Sequence, residues 1–217
     1  MERTADRRTL HFSDDYFIST ASDARPRPPS LILFSLGLER MKIVAWSVLV
    51  IVLALLALKT FFVGYYRIPQ NGMYPTLPAG SVLFTIKRPY SDISAVKRGD
   101  IIVFVREQDG RRYNYIWRVV GLPGDKVQTS GESLFVNGQP AARERLADAD
   151  GKSLFREQVG SVSYQIAFDP SAKERPPDVS VIVPPDHVFV MGDNRFNAFD
   201  SRRFGPIPFS SIIGKRL

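Results

Sequence analysis

The side chains that could do chemistry in this 217-residue chain are few and scattered. Ser201 stands within Asp200-Ser201-Arg202, and His187 follows Pro184-Pro185-Asp186 at the head of an apolar run. A hydroxyl and an imidazole are two parts of a nucleophile–base pair, but the chemistry also needs a group that orients the base. No such third group is identifiable. Ser201 therefore reads as a turn hydroxyl, His187 as a surface residue after a turn, and Lys87 and Lys97 as solvated cations. The chain contains no cysteine, which excludes disulfides, thiolate nucleophiles and thiolate metal sites. His11 and His187 have no acidic spacing around them that would make a ligand set, so no metal and no other cofactor is expected. The densest polar group is Asp193-Asn194-Arg195 with Asp200, Ser201 and Arg202. It reads as a buried ion-pair turn system in which Arg202 pairs with either Asp200 or Asp193.

The elements around these residues fall into three parts. Residues 1–40 are polar and end in a Pro-rich run, followed by a short apolar piece, and read as a disordered or spurious extension. Residues 41–64 read as a transmembrane signal anchor: Met41-Lys42 leads directly into Ile43–Leu58, which carries no charge, and Phe61, Phe62, Tyr65 and Tyr66 form an aromatic exit. Met41 is a second plausible start for the natural chain. Cationic residues flank the span on both sides, so charge alone does not orient it. Residues 65–217 change to short apolar runs bounded by Gly, Pro and Asp. Strands are expected at 81–86, 101–105, 115–120, 133–136, 162–168, 179–183 and 188–191, with turns at Asp109-Gly110 and Asn137-Gly138. The fold class expected is mainly β, an antiparallel scaffold behind one N-terminal transmembrane helix. Residues 139–177 match no recognisable block and are expected to be a variable insertion. The net charge of +7 is dispersed in single residues and pairs, without a nucleic-acid signature, so lipid rather than nucleic acid is the expected basic-surface partner.

Four blocks then line up in order: Arg67–Leu77, Lys97–Phe104, Tyr115–Asp125 and Val188–Arg195 continuing to Gly205. Together, directly after a membrane span, they resemble the signal peptidase I family from Tyr66 to the C-terminus. That resemblance implies an antiparallel β scaffold on the outer face of the cytoplasmic membrane, anchored by a single pass with its N-terminus inside. It also implies a groove near the bilayer in which an extended signal peptide lies as an added strand, with Met73, Tyr74, Pro75 and Trp117 shaping it.

The resemblance also places a Ser–Lys dyad, and here the residues depart from it. The serine expected before the Met of the Met-x-Pro-Thr-Leu run is Gly72, and the lysine expected before Arg-Val-Val-Gly is Trp117. The hydroxyl that orients the lysine is Ala198, and the serine that contributes to the oxyanion hole is Gln70. Glycine has nothing to attack with, and an indole N–H only donates. The expected function is therefore a non-catalytic, membrane-anchored homologue that binds signal-peptide-like segments or a partner. Two alternatives are an active peptidase with relocated catalytic residues and a structural accessory subunit of an active signal peptidase.

Overall fold

The computed structural model describes residues 29–217, with side chains from residue 40 onward. Residues 1–28, the larger part of the expected N-terminal extension, lie outside the described residues. Helix α1 spans Pro29–Phe62, beginning ahead of Met41. Within it Arg40–Phe62 is 23 residues with a mean hydropathy of 2.6, long and apolar enough to cross a membrane. Its two hydroxyls are turned back onto the helix: Ser47 Oγ donates to Ile43 O at 2.8 Å and Thr60 Oγ1 to Leu56 O at 2.7 Å. Each thereby satisfies its polar hydrogen without help from water.

Beyond α1 the described residues form mainly β structure. The strands are β1 (Val63–Arg67), β2 (Val82–Lys87), β3 (Ile101–Gln108), β4 (Arg111–Gly121), β5 (Lys126–Ser130), β6 (Ser133–Val136) and β7 (Gln139–Pro140). They continue with β8 (Ala142–Arg145), β9 (Ser153–Val159), β10 (Val162–Phe168), β11 (Ser180–Ile182), β12 (His187–Met191), β13 (Ile207–Pro208) and β14 (Ile212–Arg216). A single helical turn, α2, spans Ser201–Phe204. The largest sheet runs β1-β2-β14-β3-β4-β12-β13, and two smaller sheets run β10-β9-β8 and β11-β5-β6-β7. Every strand pairing is antiparallel.

All seven expected strands form, and both expected turns close hairpins. Asp109 and Gly110 take φ values of 52° and 70°, and Asn137 and Gly138 take 54° and 77°. Two consecutive left-handed residues match the twist of the strands they join. Strands β1, β5, β7, β8, β9, β13 and β14 were not anticipated.

β4 and β12 divide the interior. Trp117, Val119, Val188 and Val190 face one apolar core with Met73, Leu77 and Phe104. Val120, Phe189 and Met191 face a second core with Leu134, Ile166 and Phe168. Because β12 and the second half of β4 are covered on both faces, apolar residues follow one another there without alternation, interrupted in β4 only by the paired Arg118. This double burial fixes the place of Trp117 and of everything that packs on it.

Candidate functional site

The segment between β1 and β2 forms one wall of a groove. Ile68 N donates to Ser81 O and Gly80 N to Ile68 O, closing the segment's base, while Leu77 N donates to Met73 O. Ile68, Met73 and Leu77 are buried beneath it and hold it down. The opposite wall is β4. Its pairing with β12 covers only Arg118 to Gly121, so among the described residues the edge from Arg111 to Trp117 has no strand beside it on that side. Between the walls lies a cavity of about 480 Å³ lined by Ile68, Gln70, Gly72, Tyr113, Trp117 and Phe199 among others. No charged residue among the described ones lines it; its polar groups are amides, Gln70, Gln108, Asn114 and Asn197, and tyrosine hydroxyls.

The Trp117 ring lies against Gly72. A Cβ added at Gly72 would come within 2.4 Å of Trp117 Cη2 and 2.7 Å of Cζ3. One added at Gly192 would meet Trp117 Cζ3 at 2.9 Å and the Cβ of Ala198 at 2.4 Å. Gly72, Trp117, Gly192 and Ala198 therefore form a single packing unit, in which the indole occupies the space a side chain at residue 72 would need. Trp117 is 8% exposed, and its Nε1 has no hydrogen-bond partner among the described residues. It offers no lone pair that could take a proton. Asn194 N donates to Gly72 O at 3.0 Å, which ties the residue 72 backbone to the turn behind it.

The other sequence candidates are placed as follows. Met73 and Gln70 line the groove with Gly72 and Trp117, whereas Tyr74 and Pro75 are not in its lining. The Tyr74 hydroxyl instead donates to Asp150 Oδ2 at 2.8 Å, and Lys152 Nζ stands 5.4 Å from the centre of its ring. Of two aromatic residues near these candidates, Phe199 lines the groove, while Phe196 is buried against Phe168 with ring centroids 4.9 Å apart. Ser201 Oγ is buried and accepts from Val190 N at 3.0 Å. His187 Nδ1 meets Pro185 O at 2.8 Å and does not line the groove. Lys87 Nζ donates to Thr60 O at 2.7 Å, and Lys97 lies outside the groove lining.

The polar turn system is buried, and its pairing is resolved. Arg202 pairs with Asp200, Nε–Oδ1 2.9 Å and Nη2–Oδ2 2.7 Å. Asp200 also takes Gly192 N at 2.9 Å. Asp193 pairs with Arg118 instead of Arg202, at 2.8 Å and 2.6 Å, and accepts from Thr76 Oγ1 at 2.5 Å. Arg195 pairs with Glu157, which is fully buried and also takes Arg143 Nε at 3.0 Å and the Tyr164 hydroxyl at 3.1 Å. Burial alone would raise the Glu157 pKa, but the charges of Arg195 and Arg143 outweigh it and hold the carboxyl below its ordinary value. Burial likewise works against the Arg118 cation, and Asp193 more than restores it. Sequence reasoning missed Arg118, Arg143 and Glu157 as partners. The only hint was a Glu at the centre of an otherwise β-forming run, Ser153–Val159.

The groove is thus walled by the first and third sequence blocks and floored by the fourth. The family described as signal peptidase, peptidase S26, matches residues 40–217. This chain belongs to the signal peptidase I family. A signal peptidase I from Pseudomonas fluorescens is 36% identical over 187 residues, covering 74% of this chain and 65% of its own. One from Bacillus caldolyticus is 35% identical over 170 residues, covering 78% of this chain and 85% of its own. The chain thus spans just under two thirds of the length of the Pseudomonas relative. A crystal structure of signal peptidase I from Enterococcus faecalis aligns at 26% identity over 55% of this chain and 95% of its own, with a TM-score of 0.35.

Proposed function

We propose that this signal peptidase I family member is a non-catalytic, membrane-anchored protein that holds extended, uncharged peptide segments at the outer face of the cytoplasmic membrane. The observation that carries the reading is the Trp117 ring seated in the space over Gly72, 2.4 Å from where a Cβ would be. The position the family uses for a nucleophile has neither a side chain nor room for one. The position it uses for a base is an indole. Loss of either group disables a Ser–Lys mechanism, because attack and proton removal occur in one step. Ser201 does not replace the nucleophile, since its hydroxyl is buried in the turn and engaged by Val190 N.

Binding is supported by what is kept. The unpaired edge of β4 along Tyr113–Trp117 offers main-chain donors and acceptors at the spacing of an extended peptide, and the neutral lining suits an uncharged segment. The apolar stretch Arg40–Phe62 supplies the anchor, and the basic surface suits anionic lipid.

The test compares preprotein cleavage by the natural chain, by a Gly72→Ser/Trp117→Lys/Ala198→Ser variant and by an active signal peptidase, alongside binding of an uncleavable signal peptide. The natural chain is expected to bind peptide without turnover. Turnover at a signal-peptide junction by the natural chain sinks the reading. Co-purification with an active signal peptidase, without peptide affinity, would assign it an accessory role instead.

A further inference from the structure

A second cleft lies where the chain leaves α1, and nothing in the peptide-binding reading uses it. Its volume is about 590 Å³. Tyr66, Tyr90, Phe209, Ile212 and Ile213 form its walls, and its only charged lining residues are Lys87 and Arg88. Arg88 has no hydrogen bond from its guanidinium and no carboxylate partner among the described residues. The Tyr66 and Ser210 hydroxyls are likewise unpaired there. Tyr90, by contrast, is already committed, donating to Asp100 Oδ2 at 2.6 Å. Lys87 spends one of its three donors on Thr60 O, at 2.7 Å, in the last turn of the apolar helix. Four residues able to donate thus line an aromatic-walled cleft with no acid among its described lining residues. That is the chemistry of an anion site with an apolar surround.

Its location says which anion. The opposite face of the same β1–β2 hairpin carries Tyr65, Val82, Phe84 and Ile86, all exposed, with Tyr65 and Phe84 packed edge to face at 5.8 Å. Water-facing strands seldom present such an uninterrupted apolar row. Beside a membrane-spanning helix it suits the acyl boundary, while the cleft, tied to Thr60, suits the headgroup layer. We infer that the cleft between the β1–β2 hairpin and the Phe209–Ile213 segment binds the phosphate of an anionic phospholipid. Arg88 and Lys87 take the phosphate, and the Tyr66 and Ser210 hydroxyls bond the headgroup. This rests on the reading of α1 as a membrane span.

The full chain in neutral detergent micelles is titrated with short-chain phosphatidylglycerol, short-chain phosphatidylcholine and inorganic phosphate, and read by native mass spectrometry and hydrogen exchange. Phosphatidylglycerol is expected to bind in preference, slowing exchange over residues 82–90 and 209–213. Arg88→Asn, chosen because Arg88 has a φ of 49° that Asn tolerates, should lower the affinity about fivefold, as expected for one interfacial cation. Arg88→Lys should retain most of it, and Tyr66→Phe should lower it with the fold untouched. Equal binding of the two lipids overturns the site, as does protection elsewhere or a preference unchanged by Arg88→Asn. Inorganic phosphate competing as well as the lipid overturns the assignment to a membrane. Incorporation into lipid nanodiscs is measured separately: failure to enter discs of any composition sinks the membrane-span reading, while the micelle titration still reports on the cleft.

Discussion

At the scale of single residues, Trp117 and Gly72 behave as one substitution. The indole fits because residue 72 lacks a Cβ, and Gly192 and Ala198 leave room on its other side. Restoring a side chain at 72 alone forces the ring to move, and overpacking of this kind costs about 1–3 kcal/mol. Gly72→Ser is therefore expected to lower the unfolding temperature, and Trp117→Lys made together with it should relieve part of that loss. A thermal-denaturation double-mutant cycle checks this; simple additivity would mean that the two positions do not touch. Trp117→Ala removes a nearly buried ring and is expected to cost about 3–5 kcal/mol in denaturant unfolding. That Gly72 and Trp117 stand where the resemblance expects a serine and a lysine was legible in the sequence, since the flanking Met-x-Pro-Thr-Leu and Arg-Val-Val-Gly runs mark the positions. That Trp117 stands in the very space vacated at Gly72 was not, because it is a contact between segments 45 residues apart in sequence.

At the scale of elements, the three-stranded sheet β8–β10 holds the main body through a buried charge. Glu157 points inward from β9 to Arg195, which lies in the turn behind the groove. Removing one member of such a pair leaves the other charge buried and uncompensated, at a cost of about 3–5 kcal/mol. Glu157→Gln is expected to destabilise the fold by that order in urea unfolding. The acid response follows from the same pair. The folded-state pKa of Glu157 lies below the ordinary carboxylate value, so the folded protein holds this proton more weakly than the unfolded chain does. Its stabilisation is complete above the unfolded value of about 4.3 and is lost as pH falls through the lower folded value. The natural chain should therefore lose stability between about pH 5 and the folded value, and Glu157→Gln should flatten that part of the curve. Equal slopes for the two proteins would argue against the pair. This element also shows where sequence reading stopped. β10, Val162–Phe168, is rich in β-formers and ends in Ile166-Ala167-Phe168, so it was expected with these bounds. β9 carries Arg156 and Glu157 mid-strand, and the inward Glu breaks the apolar alternation that marks a strand. β1 follows α1 without a break, and its aromatics read as the end of the anchor.

At the scale of the whole molecule, the proposed function depends on which side of a membrane carries the groove. The flanking charges do not decide it: Arg40 and Lys42 precede the span, and Lys59 and Arg67 follow it. The peptide-binding reading requires the β body outside, because segments leaving a translocation pathway emerge on that face. Since the chain has no cysteine, single introduced thiols report topology without background. Ser161→Cys places one on the exposed turn between β9 and β10, and Lys42→Cys places one at the exposed start of the span. In intact cells stripped of any outer barrier, a membrane-impermeant maleimide is expected to label the first, and to label the second only after the membrane is opened. The reverse pattern would put the groove inside, where a peptide on the β4 edge would have to be a cytoplasmic one. Labelling of both without opening the membrane would mean that Arg40–Phe62 does not span, and the anchor would then have to be sought in the exposed face of the β1–β2 hairpin.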